Sequence, residues 1–399
     1  MTDLAQPVLP APSLATLTTM RVGGIPHTFL APTTTAQLVD TVRDVWQSGE
    51  NWILLAGGSN TVASDREFEG TVIHIATRGV ERIPHPSAVR LRVQAGESWD
   101  GLVAYAVRNG WSGIESLAGI PGSVGAAPVQ NIGAYGQELS STLVAVEFLD
   151  YETSEIRRIP AAELGLGYRT SALKTGMAGV VLAVELDLTD GNEPLGAPLS
   201  QPIAYAQLAD ALGVTIGSRV PVAELRRTVL QLRASKGMLL DDSDPDSTSA
   251  GSFFTNPIVR ENFARSLPAD APRWFTEPVE LDVVTTLETS AYGLRAAQIE
   301  DVAYSGDVQS RFAGRDQHLE PYTVKLSAAW LIEQSGIRRG YSLPGSRAAV
   351  SSKHTLAVTN RGGATADEII QLASFMQSRV HSEFGLILQP EPVLVGLSL

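Results

Sequence analysis

The chain of 399 residues contains no cysteine. Disulfides, thiolate metal sites and iron–sulfur clusters are thereby excluded. Lysine is nearly missing as well, occurring only at Lys174, Lys236, Lys325 and Lys353. Thirty basic side chains stand against forty-three acidic ones, a formal charge of −13. A nucleic-acid surface needs a basic stripe, and none is visible. The six histidines never fall into H-x-x-x-H or H-E-x-x-H spacing, so no metal site is expected. No run of 18 apolar residues exists to span a membrane. Residues 1–19 are rich in Pro, Ala and Thr and lack a basic start with an apolar core, which reads as no signal peptide. Apolar types make up 44% and charged types 18%, enough to bury cores and too ordered a balance for a disordered chain. The expectation is a soluble, acidic, cytoplasmic protein of two or three domains, with small-molecule partners and no inferred nucleic-acid, membrane or protein partner.

What is present is apolar sequence punctuated by glycine. Residues 34–48 carry Leu38, Val42, Val45 and Trp46 at helical spacing behind Thr33, Thr34 and Thr35, which predicts a capped helix. Trp52-Ile-Leu-Leu-Ala56 and Gly70-Thr-Val-Ile-His-Ile75 predict short buried strands. Val89-Arg-Leu-Arg-Val93 alternates like a half-buried strand, and residues 99–109 predict a helix stopped at Gly110. Further strands are expected at 143–149, 180–188, 250–254, 354–359 and 386–388. Further helices are expected at 222–232, 326–335 and 365–384. Residues 275–320 have weak periodicity and read as a long insertion.

Two loops attract attention. Gly57-Gly58-Ser59-Asn60 follows a buried strand, where it serves either as an ordinary strand-ending turn or as a phosphate cradle of exposed N–H groups and a hydroxyl. Gly119-Ile-Pro-Gly122-Ser123-Val-Gly125-Ala-Ala-Pro128 places three glycines at three-residue intervals and runs on to Gln130 and Asn131. Neither loop is G-x-G-x-x-G or G-x-x-x-x-G-K-[ST], so a dinucleotide would be held by a fold other than Rossmann or P-loop. Asp242-Ser-Asp244-Pro-Asp246 lacks the sixth-position glycine and twelfth-position glutamate of a calcium loop and reads as solvated. Taken singly, Gly167-Tyr168-Arg169-Thr170-Ser171, Ala250-Gly251-Ser252-Phe253-Phe254 and Gln389-Pro390-Glu391 offer a surface arginine, a strand-edge serine and a turn glutamate.

In this order, and with both glycine loops, the motifs resemble the family of UDP-N-acetylenolpyruvoylglucosamine reductases, flavoenzymes of peptidoglycan precursor synthesis. The resemblance runs from about Met20-Arg21-Val22-Gly23 to the C-terminus and is strongest over Ile120 to Gln137 and at Ala-Gly-Ser-Phe-Phe. It implies an α+β fold: a two-lobed FAD-binding module of the vanillyl-alcohol-oxidase type (PCMH-like) and a smaller C-terminal α/β substrate domain. The expected divisions are 1–76 and 77–222 for the FAD lobes, with 193–222 a substrate-covering insertion. Residues 223–385 form the substrate domain, and 386–399 return to the flavin.

The resemblance further implies non-covalent FAD held by Gly57, Gly58, Ser59, Asn60, Gly122, Ser123 and Gly125, with NADPH as co-substrate in a ping-pong reaction. Related covalent-flavin oxidases carry a histidine where Ser59 and Asn60 stand here. Arg169, Ser252 and Glu391 map to the catalytic set. Arg169 and Glu391 would stabilise enolate charge, and Ser252 would supply a proton with help the sequence does not identify. Tyr205, Lys236, Asn256 and His354 map to contacts with the UDP-sugar substrate. An FAD-dependent oxidase of the same superfamily and a non-catalytic nucleotide-sugar-binding protein are the rival readings.

Overall fold

The computed structural model describes residues 11–191, 196–275 and 323–399. The first predicted helix forms as Thr35–Ser48. Thr34 accepts the Gln37 N–H at 3.2 Å and the Gln37 side chain reaches back, a capping box that satisfies otherwise orphaned donors. Its buried face, Leu38, Val39, Val42 and Val45, lies in one core with Ile73 and Ile75. Beside it is a three-stranded parallel sheet in the order Pro26–Leu30, Phe68–His74, Trp52–Leu55. Parallel strands deliver their ligand loops at their carboxyl ends, and the strand ending at Leu55 runs straight into Gly57. The strand Pro26–Leu30 has no predicted counterpart because Pro, His and Thr dilute its apolar signal.

The second layer is antiparallel. Its strands run in the order Ile156–Pro160, Leu143–Asp150, Gly179–Asp190, Val89–Gln94, Val80–Ile83. The alternation read at 89–93 holds: Val89, Leu91 and Val93 are buried while the arginines between them face outward. On that outer face Arg90 pairs with Asp187 at 2.6 Å and Arg92 with Glu147. The helix Trp99–Arg108 packs Trp99, Leu102, Val103 and Ala106 beneath the inner face. This mixture of elements is the α+β class expected.

Four predicted elements are redrawn. Residues 250–254 make only one isolated bridge, Phe254 to Pro390, with another from the preceding Ser249 to Thr359, because Gly251 turns the chain at φ 74°. The strand expected at 354–359 is confined to Val358–Asn360, since Ala357 N–H closes a turn on the His354 carbonyl (3.0 Å). The closing strand is Val393–Val395, which pairs in parallel with Thr61–Ala63. Residues 386–388 cannot take that place, as the Leu388 carbonyl accepts the Gln377 side chain at 2.8 Å. Leu326 ends the strand Thr323–Leu326, and the helix that follows is Ala328–Gln334. The acidic loop also differs from its solvated reading. Asp246 is buried, accepts the Ser352 N–H at 2.8 Å, and is held below its ordinary pKa by these bonds and Arg361 against the cost of burial.

The chain divides into two compact units, Met1–Thr255 with Ile332–Leu399, and Asn256–Leu331. The second contains a three-stranded antiparallel sheet with Thr323–Leu326 between Ile258–Arg260 and Arg273–Phe275. Residues 276–320, most of the predicted insertion, lie outside the described residues, as do 192–195.

In the first unit the hairpin Ala348–Val350 with Val358–Asn360 rests on the long helix Ala366–Phe384. That helix opens on a second capping box, Thr365 accepting from Glu368 N–H at 3.2 Å. Thr365→Ala should therefore lower unfolding free energy by about 1 kcal/mol in equilibrium urea denaturation; no change would show that the cap is redundant with packing.

Candidate active site

The two glycine loops meet each other. A Cβ on Gly57 would lie 2.5 Å from the Gly122 Cα, and Ser59 Oγ donates to the Pro121 carbonyl at 3.0 Å. Gly122 itself sits at φ 116°, a conformation that side chains rarely tolerate. Part of what glycine does here is to let two chain segments cross. Gly125 donates its N–H to the Ala95 carbonyl at 2.8 Å, fixing the second loop to the end of the strand Val89–Gln94. Beside this crossing, the Ser123 hydroxyl is buried and has no hydrogen-bond partner among the described residues. A hydroxyl left in that state costs about 1–3 kcal/mol, which a ligand oxygen accepting its proton would relieve. The paired loops thus fit a phosphate-bearing cofactor.

The turn that carries Arg169 is tied to the second loop from both sides. Ser171 Oγ donates to the Val129 carbonyl at 2.6 Å, and Asn131 Nδ2 donates to the Gly167 carbonyl at 3.2 Å. Arg169 adopts φ 54°, unusual for a residue with a side chain. Its Nη2 donates to the Gly133 carbonyl at 3.1 Å and its Nε lies 3.6 Å from Glu391 Oε1. Lys174 Nζ caps the Arg169 carbonyl at 2.9 Å.

Glu391 arrives from the far end of the chain. Asn60 holds it twice over, accepting the Val393 N–H at 2.8 Å and donating Nδ2 to the Glu391 carbonyl at 3.1 Å. Gln130 Nε2 reaches Glu391 Oε1 at 3.3 Å. Burial raises the Glu391 pKa above its ordinary value, and the charges of Arg169 and Lys174 oppose this only in part. A carboxyl in that state keeps its proton to higher pH than an exposed one.

Ser252 joins the same cluster through its neighbour. Phe253 donates its N–H to the Leu356 carbonyl at 2.7 Å, and its own carbonyl accepts the Glu391 N–H at 2.9 Å. Phe253 and Phe254 are fully buried, with ring centroids 5.3 Å apart. This crossing brings Ser252 Oγ to 3.4 Å from His354 Nε2. Burial, with Lys236 and Arg339 adding like charge, lowers the His354 pKa to about 4, so the imidazole is neutral at pH 7.

Of the remaining candidates, Lys236 and Tyr205 converge on Tyr135. Lys236 Nζ lies 5.4 Å from the Tyr135 ring centroid and donates to Gln207 Oε1 at 2.8 Å. Tyr205 meets the same ring edge-on at 5.8 Å. Asn256 belongs to the second compact unit, where its side chain accepts the Ala328 N–H at 2.9 Å. The sequence assigns no role to Gln130, to Tyr135 or to the buried Arg233, whose Nε also has no partner among the described residues. The spacing of Gln130 and Tyr135 within the second loop was the available signal. Arg233 offered none, being one arginine on a helix rich in them.

Comparison with known proteins agrees with this geometry. Residues 26–159 match the model of an FAD binding domain, and residues 244–395 match that of the UDP-N-acetylenolpyruvoylglucosamine reductase C-terminal domain. The enzyme of that name from Leifsonia xyli subsp. xyli is 62% identical over 391 residues, covering 97% of this chain and 99% of its own. That from Salinispora arenicola is 42% identical, covering 97% and 95%. The crystal structure of the Thermus caldophilus reductase superposes with a TM-score of 0.58 at 22% identity, covering 96% and 97%, and confirms the fold. With identity of this order extending across nearly the whole length, the chain belongs to the UDP-N-acetylenolpyruvoylglucosamine reductase family.

Proposed function

We propose that Arg169, Ser252 and Glu391 form the catalytic set of an NADPH-dependent reduction of UDP-N-acetylenolpyruvoylglucosamine to UDP-N-acetylmuramate. The chain is an FAD-dependent oxidoreductase of peptidoglycan precursor synthesis. The observation that carries the residue assignment is the convergence of Glu391, Arg169, Gln130 and Asn60 within hydrogen-bond and ion-pair reach. It joins the end of the chain to both glycine loops.

When bound, FAD would supply the hydride chemistry of a ping-pong cycle between NADPH and the enolpyruvyl methylene carbon. Gly57, Gly58, Ser59, Asn60, Gly122, Ser123 and Gly125 would hold it. Negative charge then grows on the carbon next to the reduced one and on its carboxylate. Arg169, already fixed at the Gly133 carbonyl, offers a preorganised cation to that charge. Glu391, its pKa raised by burial against the opposing charges of Arg169 and Lys174, adds an O–H donor to that charge in its protonated form. Ser252 gives the proton that completes the second C–H bond. Lys236 supplies a local cation for the diphosphate in an otherwise acidic protein, with Tyr205 exposed beside it. Asn256 is a further assigned substrate contact, whereas His354 faces Ser252. The cytoplasm, where nucleotide sugars and NADPH are at hand, is the expected place of action.

Three outcomes test this reading. Ser123→Ala should leave the apo-protein at least as stable, because an unpaired buried hydroxyl is removed, while FAD dissociates about 5- to 10-fold more readily in a fluorescence titration. Unchanged FAD affinity would place Ser123 away from the cofactor. Ser252→Ala should be reduced by NADPH at a near-normal rate, yet its reoxidation by the enolpyruvyl substrate in stopped flow should slow by roughly 10²-fold or more. Equal damage to both halves would remove the proton-donor role. The third outcome concerns pH. Rising pH ionises Glu391 once its raised pKa is passed, turning a donor into an anion that neutralises Arg169. Substrate-driven reoxidation should accordingly fall as pH rises through that raised pKa, a descending limb that Glu391→Gln abolishes; a limb that persists in the variant assigns it to another group.

A further inference from the structure

The contact between Ser252 and His354 is set by backbone, not by two side chains meeting on a surface. Phe253 N–H is bonded to Leu356, two residues beyond His354. The turn holding His354 is closed by its own N–H to Ser351 Oγ at 3.2 Å and by Ala357 N–H to its carbonyl. From outside, the Asp246 carboxylate holds the Ser352 N–H, and Lys353 Nζ lies 2.8 Å from Asp244. The imidazole is thus delivered to the serine with little freedom.

A serine hydroxyl is a poor acid, and the alkoxide it leaves needs a donor. We propose that His354 is the positioning residue for Ser252, its Nε2–H donating to the serine Oγ. This rests on the proton-donor role proposed for Ser252, and it gives His354 a task other than gripping the nucleotide sugar. The direction of the bond follows from the chemistry. Were Nε2 the acceptor, the serine proton would point into the ring and away from substrate. With Nε2–H as donor, the hydroxyl proton is free to face the substrate carbon.

In the step itself the Ser252 O–H bond breaks and a C–H bond forms on the substrate, with no change of oxidation state. The oxygen remains as an alkoxide held by the imidazole N–H, and takes a proton from water as product leaves. The charged groups facing the ring are Lys236, Arg339 and Glu333. Glu333 is held away by Arg339 Nε at 3.6 Å and by Thr355 Oγ1. A neutral imidazole beside a cation does not take the serine proton, so it acts as a fixed donor. The separation of 3.4 Å is long for such a bond, as catalytic hydrogen bonds often are before the reacting complex forms.

The test uses the FAD-loaded enzyme and follows each half-reaction by stopped flow in His354→Ala, His354→Gln, Ser252→Ala and the double variant. Loss of a donor to an alkoxide should slow substrate-driven reoxidation of His354→Ala by about 10- to 100-fold, with reduction by NADPH and substrate Kd little changed. The solvent isotope effect on reoxidation should rise as proton transfer becomes limiting. His354→Gln, which keeps an N–H, should recover most of the rate. The double variant should be no slower than Ser252→Ala alone, because His354 acts only through that hydroxyl. A raised substrate Kd with an unchanged rate would overturn the proposal in favour of a nucleotide-sugar contact. Additive losses in the double variant, or a His354→Gln as slow as His354→Ala, would overturn it as well. Unimpaired reoxidation in Ser252→Ala would instead defeat the proton-donor reading, and this proposal with it.

Discussion

The peptide unit of Phe253 is the constraint on which the site depends. Its N–H bonds to Leu356 and its carbonyl to Glu391. Three segments that are far apart in the chain are thereby held within a few ångströms of one another. Bringing such segments together costs loop-closure entropy, which the buried rings of Phe253 and Phe254 offset by removing apolar area from water. Ser252, His354 and Glu391 then occupy their places because their backbones cannot go elsewhere. Asn60 repeats the arrangement from the other side, gripping the same terminal segment with both main chain and side chain.

Electrostatics inside the site runs against the composition outside it. A chain with thirteen more acidic than basic side chains gathers Arg169, Lys174, Arg233 and Lys236 about one region, where the burial of Arg233 and the partial burial of Arg169 and Lys236 make those charges count for more. Burial there raises the pKa of the Glu391 carboxyl and lowers that of the His354 imidazole. Two titratable groups pushed in opposite senses by one environment is the pattern of an acid–base site. The solvent face of the antiparallel sheet shows the contrast, for there arginine and carboxylate simply pair.

Backbone strain is placed in the same region. Asn131, Tyr135 and Arg169 adopt positive φ without being glycine, a conformation that costs free energy and persists only where the surroundings enforce it. Asn131 is buried and bonds to Glu138 and to the Arg169 turn; Tyr135 carries Lys236 and Tyr205 on its ring. Asn131 and Arg169 tie the second glycine loop to the catalytic turn and Glu391, and Tyr135 ties it to residues assigned to substrate.

The sequence by itself determined the long periodic elements. The helices Thr35–Ser48, Trp99–Arg108 and Ala366–Phe384 and the strand Val89–Gln94 are local consequences of apolar spacing and capping residues, so their signals lie within a few turns of chain. It also supplied the chemical types of the site, since glycine loops, Arg169, Ser252 and Glu391 stand in motifs whose order is distinctive. Only the tertiary structure decided how those types are used. The strand expected at 386–388 moved to Val393–Val395 because its pairing partner, Thr61–Ala63, lies more than 300 residues away, and no local pattern reports such a bond. Gln130 on Glu391, Tyr135 beneath Lys236, and His354 against Ser252 are likewise contacts between distant segments. Their protonation states follow from burial, a property of the packed molecule that no stretch of sequence possesses alone.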